Sequence, residues 1–188
     1  MSNEKTTSAG MEAERAGANL LDRAEVARRV DADTGTSTDA DGQGEAFFAF
    51  MVGGLSFAVP AAGVHSVEDV AIPSRVPGCP GHVPGVVSHR GRVLPVLDLA
   101  QFLGIEGSDD GSEEDHEPRM IVMAAGDLEV SVPCERACGL VDLRKGELGP
   151  CNVHQGKTRR FLVGEVKQEE GILGVLDLES LLEAARVA

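Results

Sequence analysis

Residues 85–103 read GVVSHRGRVLPVLDLAQFL, and residues 164–182 read GEVKQEEGILGVLDLESLL. Laid over each other at a constant offset, they share the opening glycine and an identical Val-Leu-Asp-Leu, at 96–99 and 175–178. An apolar run, a two-residue break at Arg90-Gly91 and a second apolar run describe a β-hairpin. The aspartate that follows opens a short helix. As N-caps, Asp98 and Asp177 accept backbone N–H groups, which accounts for both carboxylates without any catalytic role. Gly104 then closes the first helix.

A second match runs in the same order. FAVPAAGVHSVEDV (57–70) resembles VSVPCERACGLVDL (130–143), with Val-Pro, a later apolar pair and an aspartate in common. The chain is therefore an internal duplication. In the first copy, AFFAFMV and LSFAV form a hairpin about Gly53-Gly54, VHSVEDV is a third strand, and 85–89 with 92–97 make the second hairpin. In the second copy, RMIVMAA and LEVSV turn about Gly126-Asp127, CGLVDL is the third strand, and FLVGEVKQ with GILGVLDL complete the set before the helix ESLLEAAR. This grammar predicts an all-β chain of two five-stranded barrel subdomains, residues 45–104 and 119–188, each ending in a helix; closure into barrels would remove exposed edges. The nearly continuous runs FFAF and RVLPVLDL predict strands covered on both faces.

Residues 1–44 form an acidic extension whose part from 31 to 44 has acids and no base; too little apolar surface predicts disorder, with a weak helix over 11–30. Residues 105–118 form an acidic linker, with seven acids and no Lys or Arg between Glu106 and Glu117. The N-terminus lacks an apolar run of signal-peptide length, and no stretch has the ~18 apolar residues of a membrane span. A cytoplasmic protein without membrane insertion is expected.

Composition excludes several functions. A formal net charge of −14 opposes nucleic acid and anionic membrane surfaces. With no Trp, no Tyr and six Phe, base-stacking platforms are nearly excluded. No segment has the full Gly-x4-Gly-Lys-Ser/Thr pattern of a phosphate loop. The acidic linker lacks the calcium-loop spacing. The histidines fall into no readable order with a serine or cysteine nucleophile, and no cofactor is implied. Cys134-x3-Cys138 with Cys151-x2-His154 offers four soft ligands for zinc, although the first pair is loosely spaced and scattered free thiols explain the set as well. Without nucleophile, base or oxyanion donors, the chain reads as a non-enzyme that works through its surfaces.

The stretches FFAFMVGGLSFAVPAAGVHSV, PGHVPGVVSHRGRVLPVLDLAQFLGI and LVGEVKQEEGILGVLDLESLL together resemble the CheW-like domain of bacterial chemotaxis adaptors, over about Glu45 to Ala185. The most specific part is the block from Gly85 to Leu103: a glycine, an apolar strand, an Arg-Gly turn, Pro-Val and Asp-Leu. The resemblance implies two SH3-like barrels around a shared core. It implies a two-component signalling scaffold that links the cytoplasmic tips of methyl-accepting chemoreceptors to the regulatory domain of a CheA-type histidine kinase, in membrane-associated arrays. Carried over by motif, Arg90 and Gly91 are the turn implicated in this coupling, and Val64 and Val67, with Ser66 and Glu68, belong to the third strand of the binding surface. Two positions depart from the family pattern. Ser66 stands where an acid is frequent, with Glu68 and Asp69 displaced from it, and Ser88-His89 replaces the usual Asn-Leu. The same adaptor in a non-chemotaxis pathway such as twitching, development or gene control, or a zinc- or thiol-based regulator, are the alternatives. Within the second copy Arg90-Gly91 becomes Glu169-Glu170, so the arginine is not required by the repeated architecture.

Overall fold

The computed structural model describes residues 44–105, 117–169 and 171–186. The acidic extension and most of the acidic linker lie outside them. In the first copy come β1 (Glu45–Val52), β2 (Leu55–Pro60), β3 (Val64–Asp69), β4 (Gly85–His89), β5 (Arg92–Val96) and helix α1 (Leu99–Leu103). The second copy repeats the order with β6 (Arg119–Ala125), β7 (Leu128–Cys134), β8 (Arg136–Leu143), β9 (Leu162–Gln168), β10 (Gly171–Leu176) and helix α2 (Leu178–Ala185). The strands follow the hydrophobic runs, and the tight turns after β1, β4 and β6 contain glycines with positive φ.

Pairing does not respect the two halves. One five-stranded sheet has the order β8-β1-β2-β10-β9 and the other β3-β6-β7-β5-β4. Each copy thus lends its first hairpin to the last three strands of the other, and residues 45–104 and 119–188 do not each build their own sheet. The junctions are parallel: β2 lies beside β10 and β5 beside β7. Parallel neighbours cannot be joined by a tight turn, so they come from distant segments. Nor do backbone bonds close either sheet into a barrel, since β8 does not pair with β9 or β3 with β4.

The expectation of two-sided burial holds for β1, where Phe47 to Phe50 are all buried. Phe47 and Ala49 join Ala58, Leu143, Leu173 and Val175 in one cluster, while Phe48 and Phe50 fill the opposite face. The other sheet has its own cluster of Val87, Leu94, Val96, Met120 and Val122. For β5 the expectation fails: Val93 is 69% exposed and Pro95 is exposed, so only Leu94 and Val96 face the core. The second copy shows why the two strands differ. Gly174, the counterpart of Pro95, lies under the β8–β9 connection, and a Cβ there would stand 2.9 Å from Leu162 Cδ2 and 3.1 Å from His154 Cε1. Among the described residues, none buries the corresponding face of β5.

Glu165 on β9, the counterpart of Val86, fastens that connection. Its backbone exchanges hydrogen bonds with Gly149 (2.8 and 3.1 Å). Its buried carboxylate accepts from the backbone N–H groups of Asn152 (2.9 Å), Val153 (3.1 Å) and His154 (2.8 Å), and from His154 Nδ1 (2.8 Å). Burial pushes the Glu165 carboxyl up, but these donors outweigh it and bring it down to about 2. His154 is thereby committed to Glu165 and to the ring of Phe57, 5.3 Å between centroids. The zinc candidates are not assembled: among the described residues no three His, Cys, Asp or Glu side chains group to hold a metal. Cys134 is buried on β7, its thiol pushed up to about 12 by desolvation, which also removes it as a reactive thiol.

Both N-caps form. Asp98 Oδ1 accepts from Gln101 N (2.9 Å), and Asp177 Oδ1 from Ser180 N (3.1 Å). Ser180 Oγ also donates to Asp177 Oδ2 (2.6 Å), and this bond with the backbone N–H holds the Asp177 carboxyl below its ordinary range. Gly104 ends α1 in the left-handed conformation, φ 71°.

Asp177→Ala is expected to cost about 1 kcal/mol in urea denaturation. Asp177→Asn should recover most of the loss, because an asparagine also caps. The Glu165 carboxyl titrates near 2 when folded and near an ordinary 4.5 when unfolded. Its contribution to stability is therefore full above about pH 4.5 and fades as the pH falls toward 2. Glu165→Gln should lower stability by roughly 2 kcal/mol at neutral pH and flatten the acid limb of the stability curve, read by thermal melts between pH 3 and 7.

Candidate interaction surface

Arg90 and Gly91 form the two-residue turn between β4 and β5, with φ of 48° and 79°. Positive φ at both central positions is the turn whose twist matches its strands. Asn or Gly adopts it easily; an arginine there carries a cost of about 1 kcal/mol. Arg90 is the only non-glycine residue with positive φ among the described residues. Its side chain is exposed and makes no ion pair or hydrogen bond to any described residue.

The carboxylate of Glu68 on β3 is engaged by residues other than Arg90. Glu68 Oε2 lies 3.0 Å from His89 Nδ1, and Ser66 Oγ donates to Glu68 Oε1 (3.3 Å). The two departures from the family pattern, Ser66 and His89, thus meet on one carboxylate. β3 and β4 are the two outer strands of their sheet, so this contact brings its edges together through side chains where backbone pairing is lacking. Next to it, Glu129 on β7 takes His65 Nδ1 at 3.0 Å on one oxygen and Arg92 Nη1 at 2.5 Å on the other. The hydrogen bond from His65, helped by the charge of Arg92, holds the Glu129 carboxyl below its ordinary range. Farther along β3, Asp69 pairs across the strands with Arg119.

The structure therefore joins part of the expected set. Arg90 and Gly91 project at the tip, Glu68 touches His89, the residue that precedes Arg90, and Ser66 touches Glu68. Val67 lies half-buried on the same strand. Val64 does not belong: it is 1% exposed, turned into the core at a register shift between Val64 and Ser66, so the extra residue changes which face it occupies. Sequence reading missed His89, His65, Arg92 and Glu129. The replacement of an apolar residue by His89 in a strand was the available signal, because a buried histidine needs a partner. Beside the tip, the exposed Val93 supplies apolar contact area on the outer face of the hairpin.

Single and double replacement of His89 and Glu68 by alanine should give a coupling of roughly 1 kcal/mol in chemical denaturation. Additive losses would show that the pair does not hold β3 to β4.

Residues 46–186 match the family model of the CheW-like domain. The chemotaxis protein CheW of Bacillus subtilis (strain 168) is 32% identical over 142 residues, 74% of this chain and 88% of its own length. Protein FrzA of Myxococcus xanthus is 30% identical over 142 residues, 74% of this chain and 86% of its own. Among solved structures, the scaffolding protein TtCheW from Thermoanaerobacter tengcongensis superposes with a TM-score of 0.64 at 17% identity, covering 78% of this chain and 93% of that one. At that identity the likeness concerns the fold, and it agrees with the all-β architecture described above. Among the described residues no helix is long and apolar enough to cross a membrane. The duplicated strands, the Arg-Gly turn and the match over nearly all of both copies lead to one conclusion: the chain belongs to the CheW-like domain family, the adaptors of chemotaxis and related chemosensory signalling.

Proposed function

We propose that this chain is a non-enzymatic coupling adaptor that joins the cytoplasmic tip of a methyl-accepting chemoreceptor to the regulatory domain of a CheA-type histidine kinase, in cytoplasmic arrays assembled at the membrane through those partners. The observation that carries this reading is Arg90. A left-handed arginine is unfavourable for the turn that holds it, its second-copy counterpart is Glu169, and the nearby carboxylate of Glu68 is occupied by His89. An exposed guanidinium at a hairpin tip that pairs with no described residue is suited to bidentate capture of a partner's carboxylate. Glu68, Ser66 and Val67 supply the flank, and Val93 gives the apolar contact that interface hot spots combine with arginine.

Identity to FrzA nearly equals identity to CheW, so the same coupling in a pathway other than chemotaxis is the second reading. Capture of the cognate kinase from the source cell, identified by its genomic neighbours, separates the two.

In arrays reconstituted with receptor and kinase, Arg90→Glu should fold normally and reduce kinase activation at least tenfold. Arg90→Asn should also weaken coupling while melting at a slightly higher temperature, because asparagine accepts the left-handed turn more readily. Full activation with both variants would remove Arg90 from the interface.

A further inference from the structure

The same position in the duplicated fold is occupied by two chemically opposite surfaces. The β3–β4 connection has one base, Arg75, and presents Val70, Ile72 and Val76 to solvent, with Ile72 94% exposed. Its counterpart, the β8–β9 connection with β9 itself, is basic: residues 144–167 hold six of the chain's seventeen Lys and Arg against two acids. The rest of the chain has eleven bases against twenty-nine acids, so this segment is a positive island in a strongly negative molecule. Both of its acids are already used. Glu147 accepts the backbone N–H of Arg144 at 3.0 Å, and Glu165 is buried under its own donors.

The pair Arg159-Arg160 is the best-held part of the island. Both are exposed on a short 3-10 turn whose flanking residues, Thr158 and Phe161, are buried. The turn is anchored on three sides: Phe161 lies 5.5 Å from Phe102 of α1, Lys157 Nζ sits 3.8 Å over the same ring, and Asp177 N donates to Phe161 O at 2.7 Å. Arg159, Arg160 and Lys167 make no ion pair with any described residue. β9 is the outer strand of its sheet, and its Val163 is 64% exposed. A turn anchored in this way has little backbone ordering entropy left to lose on binding.

We propose that the Arg159-Arg160 turn, together with Lys167 and Val163 of β9, is a docking surface for an acidic protein segment, separate from the Arg90 hairpin. The charge distribution selects this occupant. A polyanion that extends past the island, such as duplex nucleic acid or an anionic bilayer, meets the repulsion of the acidic remainder. A short carboxylate-rich segment fits within the island, where arginine binds carboxylates bidentately. The site needs no knowledge of which array the protein serves.

The test uses the full chain and three probes: a fluorescent glutamate decapeptide containing one leucine, phosphatidylserine vesicles and a duplex DNA. The peptide should bind wild type with an affinity that falls as salt is raised, at least tenfold more weakly to Arg159→Gln/Arg160→Gln, and not measurably to Arg159→Glu/Arg160→Glu. Arg90→Glu should bind it as wild type does, which keeps this surface distinct from the coupling hairpin. Thermal melts of all variants should agree within a few degrees, since the side chains replaced are exposed. Equal peptide binding by wild type and the Gln pair overturns the proposal, as does tighter binding of vesicles or DNA than of the peptide.

Discussion

The constraint on which the structure depends is the pair of parallel junctions between copies, β2 with β10 and β5 with β7. Each hairpin is locally sufficient, but a hairpin alone cannot bury both faces, and FFAF in β1 has apolar side chains on both. Lending the first hairpin to the other copy solves this, because β1 is then flanked by β2 and β8 and covered above and below. It also makes the two copies interdependent. Neither can fold its own sheet without strands from the other, so the duplicated chain is one cooperative unit although its sequence reads as two.

The junctions are unequal, and the inequality falls where the proposed function is. β2 and β10 are matched over three residue pairs, from Ser56 with Leu173 to Ala58 with Val175, whereas β5 and β7 share one, Val96 with Ser131. The β4–β5 hairpin is therefore held by less backbone pairing than its counterpart. Side chains replace part of what is missing: Arg92 reaches Glu129 across the junction and His89 reaches Glu68 across the open edge. These contacts are polar, partly exposed and individually modest. The hairpin that carries Arg90 is thus positioned in part by polar side-chain contacts, while the β9–β10 hairpin is positioned by a buried carboxylate and a covered glycine.

Much of this fold is legible in the sequence. The strands and both helices fall within a residue or two of the apolar runs, and Asp98, Asp177 and Gly104 cap as their residue types predict, because these are local effects with local causes. The exchange of hairpins is not legible. An alternating strand satisfies its period beside any partner, and nothing in AFFAFMV distinguishes CGLVDL of the other copy from a neighbour in its own. Glu165 is hidden for a related reason: its partners are mostly backbone N–H groups, which leave no mark in the sequence. The Glu68–His89 contact spans twenty-one residues. It was visible only as two departures, at 66 and 89, from a pattern that the rest of the block obeys.

Duplication turns those departures into physical information. Two copies of one ancestral unit face the same folding requirement, so positions that agree, such as Val-Leu-Asp-Leu, record what the sheet and its cap need. Positions that differ must be explained by their different surroundings. Gly174 against Pro95 is explained by the connection lying on one strand and not the other, and Glu165 against Val86 by the donors that connection brings. Arg90 against Glu169 has no such internal explanation: the turn would be easier without the arginine, and no described acid compensates it. A residue that opposes its own backbone preference and has no partner among the described residues is not explained by the needs of the fold, and this is the ground on which a contact with another protein is proposed for Arg90.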